Sequence, residues 1–365
     1  MRGHEPGPIS ASGLPPGGLV GRAAESAAIQ RMAGRARLVT ITGLPGVGKT
    51  AVAVAAAAAM SANFADGAWL VALDSLRDGN LLPHTIADAL DLPDRLTRSR
   101  LDGLVDELRA RRLLLVLDTC EHLAGDSAAL AARLLQHPSA DVRILATSRE
   151  SLRVPGGLTV TIRPLRLPHA VTMFGQRAAE ADPGFQITPK NRETVEAICQ
   201  RLGQLPLAID LAARQLAVRS LEELQSRLRA DYWFLRKSEA SPARHETLRT
   251  AIGWSHQLCP PAERLLWARL SVLGGSFELQ DALDICADRH LPGQVVASAV
   301  TMLAARSVLL MNSESRRPAR FRLALPLRAY GADMLRALGD DAEWQRRYQA
   351  WLHARRGGAR EDRGE

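Results

Sequence analysis

Gly43-Leu44-Pro45-Gly46-Val47-Gly48-Lys49-Thr50 is a complete phosphate-binding loop motif. Lys49 is one of three lysines among 47 basic residues, so the chain keeps lysine where a compact charge must reach between phosphates. The apolar run 38–42 before the motif predicts a buried strand, and the alanine-rich stretch from Thr50 onward predicts a helix. The motif therefore has the strand, loop and helix context that it requires, and it predicts a site for a nucleoside phosphate.

Each kind of residue in the loop has its own expected role. Glycines at 43, 46 and 48 let backbone amides converge on phosphate oxygens, and the helix that begins at Lys49 adds its positive end to the same anion. We expect Lys49 to bridge the outer phosphates and the Thr50 hydroxyl to ligate Mg²⁺. The predicted nucleotide contacts of the loop are Gly43, Leu44, Pro45, Gly46, Val47, Gly48, Lys49, Thr50 and Ala51.

A second apolar run, residues 113–118, ends in the carboxylate of Asp118. A strand that ends this way opposite a phosphate loop holds Mg²⁺ through its water shell, so Thr50 and Asp118 are the predicted metal residues. Hydrolysis also needs a group that orients the attacking water, and position 119 is Thr rather than an acid. Glu121 is the nearest carboxylate, and two roles stay open for it: catalytic base, or cap of the helix that follows.

A third apolar run, residues 143–147, predicts a buried strand that ends in hydroxyl groups and a guanidinium. At the carboxyl edge of a parallel sheet, Thr147 and Arg149 can sense the γ-phosphate and report its loss. The alternative for Arg149 is an ion pair with a surface acid such as Glu150. The residues that we expect to act in catalysis are Lys49, Asp118, Glu121 and Arg149.

The order of apolar patterns predicts an α/β P-loop NTPase, with a parallel sheet and helices on both faces, followed by a small helical domain and a winged helix. The candidate strands span residues 38–42, 68–73, 113–118, 142–147 and 158–162. The expected organisation is a flexible leader at 1–16, a P-loop nucleotide-binding domain at 17–165, a helical domain at 166–244, a winged-helix domain at 245–338 and a charged tail at 339–365.

The composition is that of an ordinary globular protein, with 46% hydrophobic and 24% charged residues. The longest apolar run, residues 51–60, is far too short to cross a membrane, and the leader lacks the apolar segment of a secretion signal. We therefore expect a cytoplasmic protein without a membrane partner. The four cysteines have no metal-site spacing, so we expect reduced, buried thiols.

The formal net charge of +8 agrees with a nucleic-acid partner, but the arginine excess runs through the whole chain, as base-composition bias in a genome would produce. Direct DNA binding is therefore not the favoured interpretation. Four arginines crowd the predicted hairpin of the winged helix: Arg316, Arg317, Arg320 and Arg322. They either contact DNA phosphates or are solvated charges on a hairpin loop, and the second reading is favoured.

Further motifs occur in a fixed order along the chain. They are Leu19-Val20-Gly21-Arg22 with Glu25, the strand ends at 115–123 and 146–150, Leu202-Gly203-Gln204-Leu205-Pro206-Leu207-Ala208-Ile209, and the stretches 245–249, 254–255 and 270–277. Together with the loop they resemble the nucleotide-binding core of the bacterial STAND regulators, signal-transduction ATPases of the NB-ARC type found in antibiotic-pathway and LuxR-like transcription factors. The resemblance covers residues 17 to 338.

The resemblance implies further roles and a mechanism. Val20, Gly21 and Arg22 would lie against the adenine, and Pro206 would contact the base from the helical domain. ADP would hold the domains together and exchange for ATP would loosen them. Two positions depart from the family: Gln204 stands where the family has Gly, and Leu325-Pro326 replaces a polar pair that helps to hold the closed form.

The function that follows is an ATP/ADP-binding signal-transduction switch with slow Mg²⁺-dependent hydrolysis of ATP, the regulatory core or a relic of a transcriptional regulator. The alternatives are a nucleotide-binding adaptor that never hydrolyses, and a DNA-binding protein that acts through its winged helix. Besides the nucleotide, we expect a protein partner or self-association. The signal, the target promoter, the oligomeric state and the resting nucleotide are left open by the sequence.

Overall fold

The computed structural model describes residues 7–9, 19–92, 100–136, 141–231, 233–235, 247–312 and 318–361, with side chains omitted at Arg100 and from 356 onward. The described residues form two compact units. The first unit runs to Gln176 and also includes Leu205–Leu207, and the second contains the remaining described residues. Leu205–Leu207 therefore groups with the sheet unit rather than with the helical domain expected at 166–244.

The first unit contains a six-stranded sheet in the order β1-β3-β4-β5-β2-β6. Strands β2 to β6 are mutually parallel, and β1 runs antiparallel to β3 at one edge. The strands are β1 (Gly7–Pro8), β2 (Leu38–Gly43), β3 (Ala68–Ala72), β4 (Leu114–Asp118), β5 (Arg143–Thr147) and β6 (Leu158–Ile162). All five predicted strands are found. Residues 7–9, which we expected in the leader, pair with β3, and the rest of that leader lies outside the described residues.

The sheet is parallel because its central strands can be buried on both faces. Every residue of β2 and β4 is buried; β4 is apolar up to Asp118, and β2 carries Thr40 and Thr42 among its apolar residues. The described helices that accompany the strands are α1 (Ala23–Arg35), α2 (Lys49–Met60), α3 (Leu82–Ala89), α4 (Arg100–Leu108), α5 (Ala124–Leu135) and α6 (Leu167–Ala181), of which the last belongs to the first unit as far as Gln176. Because β5 lies between β2 and β4, the polar ends of these three strands meet at one edge of the sheet. The predicted α/β P-loop NTPase fold is confirmed.

The second unit is mainly helical. Its helices are α7 (Arg192–Arg201), α8 (Pro206–Ala213, whose first two residues group with the first unit), α9 (Leu221–Ala230), α10 (Leu248–Gln257), α11 (Pro261–Leu270), α12 (Leu279–Cys286), α13 (Gly293–Ala305), α14 (Leu325–Ala337) and α15 (Asp341–Glu361). Three short strands, β7 (Phe277–Glu278), β8 (Leu309–Asn312) and β9 (Arg320–Leu323), form an antiparallel sheet in the order β7-β9-β8. Within the region expected to form the winged helix, the four helices α10 to α13 precede the hairpin of β8 and β9, and the winged-helix assignment stays a prediction.

The C-terminal segment differs from the tail expected at 339–365. Residues 341–361 form helix α15, because an aromatic face anchors it: Trp344 is buried, with the guanidinium carbons of Arg269 and Arg347 at 4.1 and 4.5 Å from its ring centroid. The charges that suggested a tail take part in this packing, and Arg355 pairs with Asp281 of α12 at 2.7 Å. Within the described part of the chain, no helix is both long and apolar enough to cross a membrane.

Candidate nucleotide-binding site

The loop between β2 and α2 has the backbone geometry of a phosphate cradle. Gly46 and Gly48 have φ angles of 73° and 92°, in the left-handed region that residues with a Cβ seldom adopt. Gly48 is the N-cap of α2, so the free N–H groups and the positive end of this helix face the loop. Lys49 Nζ donates to the carbonyl oxygens of Gly43 and Leu44 at 2.9 and 3.3 Å, which keeps the ammonium group at the loop.

Asp118 stands at the centre of the polar edge. The hydroxyls of Thr50 and Thr147 each donate to Asp118 Oδ1 at 2.6 Å, and the Thr119 hydroxyl donates to Oδ2 at 3.2 Å. Thr50 lies on α2 and Thr147 ends β5, so the structure brings together three predicted residues that are far apart in sequence. Asp118 is only 4% exposed. Burial raises the pKa of Asp118, and the hydrogen bonds from Thr147 and Thr50 offset only part of that effect.

The strand end at Asp118 is also strained. Thr119 has a φ of 68°, a left-handed conformation that is uncommon for a residue with a branched Cβ. Its backbone N–H donates to Thr147 Oγ1 at 2.9 Å, so Thr147 accepts from Thr119 while it donates to Asp118. Such outliers persist only where the surroundings hold them, and they concentrate at functional sites.

The donor set at this edge fits Mg²⁺. The Thr50 hydroxyl and the Asp118 carboxylate meet at one point, and hard oxygen ligands of this kind suit a small divalent cation that keeps several waters. No group of three or more His, Cys, Asp or Glu residues is arranged to hold a metal in the described ranges. A single carboxylate is what a Mg²⁺ site needs when substrate phosphates supply the other ligands.

Glu121 and Arg149, two of the predicted catalytic residues, form an ion pair. Arg149 Nε lies 3.8 Å from Glu121 Oε1, and the side chains are 5% and 11% exposed. Arg149 is therefore not a surface residue. Glu121 begins a short 3₁₀ turn, and neither that turn nor α5 has a side-chain cap, which argues against the capping role. Within the described residues, the buried Oε2 of Glu121 has no hydrogen-bond partner.

Residues 19–25, the entry segment, are tied to the phosphate loop by Arg22. Its guanidinium donates to the carbonyl oxygens of Val47 and Arg163 at 3.0 and 2.8 Å and to Glu25 Oε1 at 2.7 Å. Arg22 is 4% exposed, so it braces the loop from inside the protein. The adenine contact that the resemblance gives to Val20, Gly21 and Arg22 stays a prediction, and the bonding of Arg22 shows an additional, structural role.

The segment containing Pro206 reaches the same loop. The Leu207 N–H donates to the Gly46 carbonyl at 3.1 Å, and a Cβ on Gly46 would lie 3.0 Å from Leu207 Cβ. Pro206 Cγ would lie 3.9 Å from a Cβ on Gly48. Pro206 therefore lies near the phosphate loop, and its contact with the nucleotide base stays a prediction. Leu207 was missed by the sequence reasoning, although it stands within the motif that located Pro206.

The fold and this site define a class of protein, the α/β P-loop NTPases. A Walker-type ATPase of Pyrococcus abyssi matches with a TM-score of 0.58 and 14% identity, over 89% of this chain and 97% of that one. The ORC2 protein of Aeropyrum pernix, solved as ADPNP–ADP complexes, matches with a TM-score of 0.51 and 16% identity, over 90% of this chain and 97% of that one. At these identities the likeness concerns the fold alone.

The chain belongs to the family of an uncharacterized protein of Mycobacterium tuberculosis, with which it is 33% identical over 338 residues, 92% of this chain and 85% of that protein. It is also 35% identical over 321 residues to a protein of the same organism named "Putative HTH-type transcriptional regulator". That match covers 87% of this chain and 35% of the relative, so the chain spans about a third of the relative's length. No family model matches the chain.

Proposed function

We propose that this chain binds ATP and ADP with Mg²⁺ at the loop of residues 43–50, hydrolyses ATP slowly, and acts as a nucleotide-dependent switch in transcriptional regulation. One observation carries the proposal. The hydroxyls of Thr50 and Thr147 converge on the buried Asp118 carboxylate beside Lys49, which combines a cation site with a phosphate cradle.

Each residue of the site has a definite task in this proposal. The loop amides and Lys49 Nζ bind the β- and γ-phosphate oxygens, and Thr50 and Asp118 hold Mg²⁺. The cation, when bound, neutralises charge on the transferred phosphoryl group. Thr147 fixes the orientation of the Asp118 carboxylate and links the sensor strand β5 to the metal residue.

Slow hydrolysis is supported by the arrangement around Glu121. This carboxylate is the acid nearest the site in sequence, and its Oε2 lacks a described hydrogen-bond partner, so it can accept a hydrogen bond from the attacking water. The Arg149 guanidinium at 3.8 Å competes for the same carboxylate. Release of Glu121 from Arg149 would therefore precede efficient turnover, as suits a switch that is timed by its nucleotide.

The proposed regulatory role is supported by a similar protein and by the resemblance of the sequence motifs, rather than by the geometry of the site. One relative bears the name of an HTH-type transcriptional regulator, and this chain corresponds to about a third of it. The STAND resemblance of the motifs adds the expectation that nucleotide exchange changes the domain arrangement. A protein partner, or a second copy of the chain, would read that change.

Lys49→Ala tests nucleotide binding and turnover most simply. We expect ATP affinity to fall by roughly 50-fold or more and turnover to vanish, because Lys49 is the cation that reaches the phosphates. Lys190→Ala is the matched control, since Lys190 is exposed and belongs to the second unit. Equal binding by wild type and Lys49→Ala would contradict the proposal. Wild-type binding of Mg²⁺·ATP with no turnover would favour the non-hydrolysing adaptor.

DNA binding by the hairpin of β8 and β9 is a second candidate. Arg320 and Arg322 alternate with buried residues along β9 and face outward, whereas Arg316 and Arg317 lie outside the described residues. Basic residues on such a hairpin can contact phosphates. A duplex DNA complex that weakens steeply with salt, and weakens further in an Arg320→Ala, Arg322→Ala double variant, would support it. Unchanged mobility of DNA at low salt would exclude it.

A further inference from the structure

An exposed histidine lies directly against the entry segment of the first unit. A Cβ built on Gly21 would stand 2.5 Å from both Cγ and Nδ1 of His169, so the imidazole ring contacts the Gly21 backbone. Gly21 has a φ of 67°, and only glycine leaves room for the ring at this turn. His169 is nonetheless an exposed residue.

The turn that carries this ring is fixed to the phosphate loop. Arg22, next in the chain, donates to the Val47 carbonyl of the loop and to the Arg163 carbonyl, which precedes helix α6. His169 belongs to the first turn of α6, which begins at Leu167. One buried guanidinium therefore joins the phosphate loop, the entry turn and the segment that leads to His169.

A nucleotide held by this loop must place its base beyond the sugar, within reach of surfaces that border the loop. The guanidinium of Arg22 is already bonded to three oxygens of the protein. The aromatic side chain next to Gly21 is that of His169, an exposed residue. A planar ring clamped against backbone on one side is well suited to stack on a nucleobase with its free surface.

We propose that His169 is the base-stacking residue of the nucleotide site and contributes to affinity for the adenine but not for the phosphates. The inference rests on the proposed nucleotide binding and deepens it. Stacking depends on an aromatic ring rather than on ring charge, so the aromatic character of position 169 is what matters. Gly21 acts with it as a positioning residue, because any side chain there would displace the ring.

The test compares ATP with inorganic tripolyphosphate, which lacks the base. For His169→Ala we expect the Kd of ATP to rise about tenfold, a typical effect of losing one base-aromatic stack, with the Kd of tripolyphosphate unchanged. His169→Phe should bind ATP within about twofold of wild type. His353→Ala, at another exposed histidine, is the matched control and should behave as wild type.

The outcomes separate the inference from the proposal on which it rests. If wild type binds neither ATP nor tripolyphosphate, the proposed function fails and the inference fails with it. If wild type binds both and His169→Ala binds ATP equally well, the inference alone is overturned. Equal weakening of ATP and tripolyphosphate by His169→Ala would also overturn it, because His169 would then support the loop rather than the base.

Discussion

Two carboxylates, one in each unit, occupy opposite electrostatic environments. Asp118 receives hydrogen bonds from the hydroxyls of Thr50, Thr147 and Thr119, and burial dominates, so that its pKa is raised. Asp288 is also affected by burial, which raises its pKa. However, two bonds from Arg269 at 2.9 and 2.8 Å, with backbone N–H groups of Leu291 and His290, lower the pKa to about 2.

The difference distinguishes a structural carboxylate from a binding one. Asp288 has a built-in cation in a bidentate arrangement and serves to hold Arg269 in place beneath Trp344. Asp118 is oriented by hydroxyls, and its charge remains unfavourable at that position. A cation that binds with the nucleotide would relieve that cost, which is the central claim of the proposed function.

Replacing the metal carboxylate should have the largest effect. For Asp118→Asn we expect turnover to fall by roughly 100-fold or more, because the ligand that holds Mg²⁺ is lost. Without ligand, the same variant should have a higher Tm at neutral pH. A carboxyl group whose folded pKa is raised costs stability above that pKa, and the neutral amide removes the cost.

The exposed Asp88→Asn on α3 controls for a generic change of charge. A lower Tm for Asp118→Asn would mean that the ionised carboxylate stabilises the fold by itself. The contrast with Asp288 would then disappear.

The matching change at the structural carboxylate should act on stability alone. Asp288→Asn leaves the buried Arg269 with a weaker partner, and we expect a loss of about 2 kcal/mol in the free energy of unfolding near pH 7. Because the folded pKa of Asp288 is lowered to about 2 from 3.8, its contribution is complete above about pH 4 and disappears as the pH falls through 2.

Urea unfolding of wild type and Asp288→Asn across that pH range measures the effect, with the exposed Asp284→Asn as control. The two unfolding free energies should converge in acid. A constant difference between them at every pH would contradict the assignment.

Glu121 provides a third case, an acid whose cation is present but poorly aligned at 3.8 Å. For Glu121→Gln we expect kcat to fall about tenfold, since an amide orients water less well and cannot accept its proton, with the Kd of ATP within about twofold. Single-turnover kinetics with a parallel binding titration separates the two quantities. A variant that loses Tm but keeps kcat would assign Glu121 a purely structural role.

The smallest expected effect concerns the turn before Pro206. Gln204 has a φ of 57°, a left-handed conformation that is unfavourable for residues other than glycine. Gln204→Gly should therefore stabilise the protein by about 0.5–1 kcal/mol. This value is the free energy gained by relieving the backbone strain minus the conformational entropy cost of a glycine.

Gln200→Gly, an exposed position within α7, should destabilise by about 1 kcal/mol and is the control. Destabilisation by both changes, read from urea unfolding, would show that the Gln204 side chain makes contacts that outweigh the backbone strain.

The strands and the position of the site depend on local sequence patterns, and the sequence predicted both. Short, mainly apolar stretches located all five parallel strands, and because parallel strands end at one edge, the meeting of Thr50 and Asp118 followed from two motifs 68 positions apart. The bond from Thr147 to the same oxygen confirms the expected neighbourhood of β5. The Glu121–Arg149 pair was not predicted, although both residues were singled out, because side-chain pairing across two strand ends leaves no periodic signal.

Contacts made over long sequence distances were the ones that the sequence could not predict. The guanidinium of Arg22 bonds to residues 25 and 141 positions away in the sequence. An arginine that follows a glycine is too common a pair to predict such contacts. His169 is one of nine histidines, and nothing in the sequence distinguishes it from the others. Its contact with Gly21 is visible only in the structure. Helix α15 was missed because its charges masked the buried Trp344.

Calorimetric titration of ATP with and without Mg²⁺, on wild type and Asp118→Asn, tests the central claim most directly. We expect Mg²⁺ to tighten ATP binding to wild type by about tenfold or more, and to have little effect on Asp118→Asn, because the buried carboxylate is what connects the cation to the protein. Binding to wild type that is indifferent to Mg²⁺, or the same Mg²⁺ dependence in the variant, would contradict the account.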